Sequence, residues 1–212
     1  MSNVVADIKI PDSKLALGAA ELLREYGNDL LWNHSHRVFL FGALQGIKEG
    51  VSFSTELLYI SALFHDLGLV KQYSSSDKRF EVDGANAARD YLKAHGVPAE
   101  SIRLVWDAIA LHTTIGIAQY KEPEVMLIYS GVGYDVMGEN FDSLTEEMRK
   151  KVTTNYPRDN FKQKILSAFY DGFKHKQETT FGNIKADVCS LLNPDFKRKN
   201  FCECVLHSPW IE

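Results

Sequence analysis

The stretch LLYISALFHDLG, residues 57–68, decides the fold. From Leu57 to Phe64 every residue except Ser61 is hydrophobic, which leaves no polar face for solvent. A helix that is apolar on all sides belongs in an interior. The spacing predicts a central buried helix over about Thr55–Leu67, with Gly68 as its terminator. At its end stand His65 and Asp66. A buried carboxylate beside a buried imidazole is costly unless something compensates the charge.

The flanking sequence is helical too. Leu15, Ala19, Leu22, Leu23 and Tyr26 recur at helical intervals behind Pro11-Asp12-Ser13, a helix start. Further helices are expected at about 33–48, at 84–95 with Asp83 as cap, and at 98–112 behind Pro98. Another should run from Pro123 to about Gly133 or Val136. Ser143-Leu-Thr-Glu146 reads as a capping box that opens a short charged helix. Phe161, Ile165, Ala168 and Phe169 mark the next helix, and Ile184, Val188, Leu191 and Leu192 the last. Little looks like strand. Residues 70–82 read as a loop, the polar segment 174–183 as a turn between helices or else a cover over the pocket mouth, and 193–212 as an irregular tail. Within that tail, His207-Ser208-Pro209-Trp210 is a segment suited to a groove or a subunit interface. The expected class is all-α, a helical bundle in one domain with its core at about 15–192.

Composition narrows the function classes. The chain has 212 residues and a formal charge of −4. That charge forms no basic stripe, which argues against a nucleic-acid partner. The apolar runs fall short of the ~18–20 residues of a membrane span. The first residues carry neither a basic start nor a long apolar core, so the expectation is a cytoplasmic protein. Cys189, Cys202 and Cys204 are an odd set with no second Cys/His pair at finger-like spacing, and they read as reduced thiols.

The polar residues on apolar faces carry the chemistry. His34 shares a helix face with Val38 and Phe41, and His112 shares one with Ile102, Val105 and Ile109. Asp135 follows Val125, Ile128 and Val132 at helical intervals. With His65-Asp66, four helices turn a metal-capable side chain inward. A core histidine bonded to backbone, or a capping aspartate, accounts for any one of these. A shared divalent ion accounts for several at once, because imidazole and carboxylate are its ligands. Spacing alone leaves both readings open.

The order His34, His65-Asp66, Asp135 resembles the H…HD…D pattern of the HD-domain metal-dependent hydrolase superfamily. NHSHRVF (33–39), LLYISALFHDLG (57–68), the RFE of KRFEVDGANAARDYL (78–92), AIALH (108–112) and GVGYDVMG (131–138) are similar to its cyanamide hydratase-like branch. The resemblance implies an all-helical HD domain holding one divalent ion on His34, His65, Asp66 and Asp135. Zn2+ is the branch expectation, and Fe2+, Mn2+ or Ni2+ also suit such ligands. His36 sits where the family varies and stands outside the set. Glu81 and His112 fall around the reacting water as catalytic residues beside Asp66, and either is a candidate proton shuttle.

The reaction so implied is attack of a metal-bound hydroxide on a small substrate, such as hydration of a cyanamide-type nitrile to a urea. The alternative is an HD-type phosphohydrolase acting on a phosphomonoester or nucleotide, with Lys71, Lys78 and Arg79 holding phosphate. A third reading is a non-enzymatic, metal-stabilised regulatory protein. The expected partner is a small-molecule substrate, and a homodimer is compatible with the chain. A narrow aromatic-walled pocket favours a neutral substrate, and a wide cation-lined mouth favours phosphate.

Overall fold

The computed structural model describes residues 3–209. The chain begins with a hairpin, β1 (Val4–Val5) and β2 (Ile8–Lys9), and continues through α1 (Lys14–Tyr26), α2 (Asp29–Glu49) and α3 (Thr55–Phe64). There follow α4 (Phe80–Ala94), α5 (Ala99–Leu111), α6 (Pro123–Met137) and α7 (Glu146–Asn155). The described residues close with α8 (Phe161–Phe173), α9 (Lys185–Leu192) and α10 (Phe201–Leu206). The all-α class holds. Among the described residues no helix is long and apolar enough to cross a membrane.

α3 is the centre, as its composition requires. Leu58 to Phe64 are all buried, and α1, α2, α4, α5 and α6 pack around them. The tightest helix pair is α2 with α6. A Cβ on Gly42 would lie 2.6 Å from the Leu127 carbonyl oxygen, and one on Gly131 2.3 Å from that of Val38. Side chains at these two positions would push the helices apart, and with them His34 on α2 and Asp135 on α6.

The departures from expectation lie mostly at element ends. α3 stops at Phe64, not Leu67; His65 is its last cap and a 3-10 turn over Leu67–Leu69 follows. Gly68 is needed there for space, since a Cβ would fall 2.0 Å from the Phe80 carbonyl oxygen. α4 starts at Phe80, so Asp83 lies inside its first turn instead of capping it. The capping box at Ser143 does not form: Thr145 is the N-cap and its hydroxyl accepts from Met148 N. Residues 174–180 are a 3-10 segment with buried Lys176 and Thr180, not a plain polar turn. The tail contains the short, fully exposed helix α10, while Trp210 lies outside the described residues.

The hairpin escaped notice because two-residue strands show no alternation. Its turn places Ala6 and Asp7 at φ 50° and 66°, the left-handed pair that a tight hairpin uses. Cys189 is buried, Cys202 and Cys204 are exposed, and all three are free thiols.

Candidate metal centre

Three imidazoles face one carboxylate at the end of α3. His34 Nε2 lies 3.5 Å from Asp66 Oδ2, and His65 Nε2 lies 3.3 Å from the same oxygen. His112 Nε2 lies 3.6 Å from Asp66 Oδ1. All four side chains are at most 2 % exposed.

The other nitrogen of each ring is already committed. His34 Nδ1–H donates to Asp135 Oδ2 at 2.7 Å. His65 Nδ1–H donates to the Ala62 carbonyl at 2.7 Å, and His112 Nδ1–H to that of Ile109 at 2.6 Å. A carbonyl oxygen only accepts, so the ring proton sits on Nδ1 and each neutral ring offers a lone pair at Nε2. The lone pairs therefore face a carboxylate, acceptor against acceptor. His65 Nε2, His112 Nε2 and both Asp66 oxygens have no hydrogen-bond partner among the described residues. Such buried atoms are rare in native proteins and call for a missing ligand. A cation satisfies all of them at once.

The ligand atoms of His34, His65 and Asp66 lie within 4.8 Å of one another, a set fit to hold a metal ion. Helix geometry explains how neighbours in sequence converge. α3 ends at Phe64, and Asp66 leaves it with φ −103° and ψ 4°, which turns its carboxylate back towards His65. Asp135 approaches from the other side of His34. Its carboxylate accepts from Arg37 Nε at 2.8 Å and Nη2 at 2.9 Å, and also from Arg158 Nη1. The structure thus groups three of the four expected ligands, places Asp135 behind His34, and brings His112 to the open side of Asp66.

Electrostatics follow from this geometry. Burial pushes the His34 imidazole towards neutrality despite Asp135. Burial opposes charge on Asp66 as well; without a metal a proton takes the cation's place, Asp66 raising the His65 imidazole against burial while that positive charge holds the carboxyl well below its ordinary range. Asp135 is likewise held low against burial by His34 and Arg37. His36, two residues from His34, is different. Its Nδ1–H donates to Trp32 O at 2.8 Å and its Nε2 accepts from Tyr59 at 3.0 Å, which makes it a satisfied core histidine.

The HD domain family profile matches residues 31–150. This chain belongs to the HD-domain family. No curated protein matches it. The HD-domain match runs from α2 into α7 and includes His34, His65, Asp66, His112 and Asp135.

The HD centre opens into a cavity of about 70 Å3. Ile115, Tyr129, Val132, Val136, Phe169 and Ile184 form its apolar wall, and among the described residues no lysine or arginine lines it. Glu81 is fully buried nearby. Its Oε1 accepts from Thr113, which lines the cavity, from Arg79 at 2.9 Å and from Lys185 at 2.6 Å. Burial would raise its pKa, but Lys185 and Arg79 bring it down to about 2, so Glu81 stays a carboxylate.

Arg37, Arg158 and Lys185 were not anticipated. Arg37 had a signal, standing one helical turn after His34 on the same face. Arg158 and Lys185 had none, because lone cations outside a motif read as solvated.

Proposed function

We propose that this HD-domain protein is a metal-dependent hydratase or hydrolase acting on a small uncharged substrate, with a cyanamide-type nitrile the foremost candidate. The cavity carries the reading. At about 70 Å3 it is far below the ~300–1,000 Å3 of pockets for drug-sized ligands. A nucleotide does not fit that space, and a phosphate group would meet no side-chain cation in it. A three-atom N–C≡N unit needs neither room nor counter-charge.

A divalent ion, when bound, supplies acidified water and polarises the substrate's multiple bond. His34, His65 and Asp66 hold it, and Asp135 fixes the His34 ring from behind, as carboxylates commonly do for ligating histidines. Imidazole and carboxylate donors suit Zn2+. His112 presents Nε2 across Asp66 and is the group to hold or pass a proton at the substrate nitrogen. The apolar wall keeps bulk water out and orients the small substrate by shape.

One observation favours the phosphomonoester reading. A neighbouring cavity of about 310 Å3 shares Thr113, Ile115 and Ile184 with the first, and Arg79, whose Nε is buried without a partner among the described residues, lines it. The test is direct. Protein purified without added ions is analysed for metal, then assayed for urea from cyanamide and for phosphate from nucleoside monophosphates. Urea is the expected product, and phosphate release without urea would reverse the two readings.

A further inference from the structure

Two lysines of the C-terminal segment are buried against the first turn of α4. Lys176 Nζ donates to Asp83 at 2.7 Å, to Ser74 Oγ at 2.9 Å and to the Ser75 carbonyl at 3.1 Å. Lys185 Nζ donates to Glu81 at 2.6 Å. Their side chains are 0 % and 2 % exposed, so neither is an ordinary surface cation. Buried ammonium groups are tolerated only with partners. Both pairs fasten residues 174–192 to the HD body, and both lysines lie outside the family match.

The two carboxylates nevertheless differ. Asp83 Oδ2 accepts from Lys176 in the 3-10 segment and from Ser75 N in the loop before α4, and neither residue lines the cavity. Glu81 takes all three of its donors on Oε1, while Oε2 is buried with no partner among the described residues. A carboxylate clamped by one oxygen presents the other in a fixed direction. The clamp also runs towards the metal centre, because Thr113 follows His112 and lines the cavity. Phe80, which precedes Glu81, packs its ring 5.6 Å from that of His112, and Lys185 Nζ lies 5.2 Å from the Phe80 ring centroid.

We propose that Lys185 is a positioning residue of the metal centre: it locks the Glu81 carboxylate so that Oε2 stays available beside His112 and Thr113. The segment after the matched HD region then completes the site and does more than cover it. This rests on the metal-centre part of the functional reading and not on the nitrile. Lys176 is the internal control, an equally buried lysine on a carboxylate that no cavity residue touches. Burial draws the Lys185 ammonium down to about 8 against the pull of Glu81, which agrees with a lysine held for its contact and not for solvation.

The experiment uses the full chain loaded with Co2+, whose visible absorption follows protonation at the loaded centre. Lys185→Met should still bind Co2+. Its absorption midpoint should rise by about one pH unit, because Glu81 keeps its charge and loses its principal counter-ion. Lys185→Arg should return most of that shift. The control Asp83→Asn/Lys176→Met, which neutralises the other pair, should keep the wild-type midpoint whatever it does to thermal stability.

If Lys185→Met does not fold, Glu81→Gln/Lys185→Met removes the buried pair together, leaves only the part-exposed Arg79 without its carboxylate, and takes its place. A midpoint moved in that pair and not in the control supports the role. An unmoved midpoint, or one moved equally in both pairs, overturns it. Wild-type protein that binds no Co2+ removes the metal centre and this role together. Normal Co2+ behaviour without urea production strikes only the nitrile.

Discussion

Asp66 and Asp135 are equally buried, at 2 % exposure each, yet their surroundings are opposite. Asp135 is saturated, with Arg37 gripping both oxygens, Arg158 adding a further donor and His34 another. Asp66 has two oxygens without a hydrogen bond and three histidine lone pairs around them. Burial marks neither as functional. The unmet acceptors do, because unpaired buried atoms are rare in a folded chain and here four of them converge on one point. The saturated aspartate makes the unpaired arrangement possible by holding the ring of His34 while the arginines neutralise its charge.

The largest effect should come from Asp66. Asp66→Ala and His65→Ala are each expected to take the protein from about one divalent ion per chain to none, read by elemental analysis. Metal retained in both variants would erase the contrast between the aspartates.

Asp135 should behave differently. Asp135→Ala strands buried Arg37 and is expected to destabilise the metal-free protein by about 3–5 kcal/mol in urea denaturation. The milder Asp135→Asn should weaken metal binding by only ~10–100-fold, the range for a residue that supports a ligand. Complete loss of metal in Asp135→Asn would move it into direct coordination.

The smallest effect is the acid limb of stability. Glu81 falls from an ordinary 4.5 to about 2 on folding. The unfolded chain therefore takes up the proton first as pH drops. The stabilisation is fully present above about 4.5 and is lost as pH falls towards about 2. Asp135, also held low, acts in the same direction. Denaturation midpoints measured at falling pH should decline less steeply in Glu81→Gln than in the parent chain. Parallel curves would show that Glu81 titrates alike in both states.

Helix positions were largely legible because α1, α5 and α8 bury one face and expose another, a periodicity that is local, while α2, α3 and α6 carry long apolar stretches. Ends were less legible. Asp83 and Ser143 looked like caps by residue type, but the first turn of α4 and the cap of α7 depend on where neighbouring chain packs. His34, His65 and Asp66 were readable as inward-facing, metal-capable groups before any contact was known. The surroundings of Asp135 were not, since one of its partners is Arg158, a residue 23 positions away in a loop.

The sequence by itself determined the all-α class, the buried α3 and the inward histidines, for each follows from side-chain spacing along one helix. Only the tertiary structure decided which atoms go unpaired, how small and apolar the cavity is, and that Lys176 and Lys185 are interior. Those properties are sums over residues far apart in the chain. A lysine carries no mark of the carboxylate it will meet about a hundred residues away.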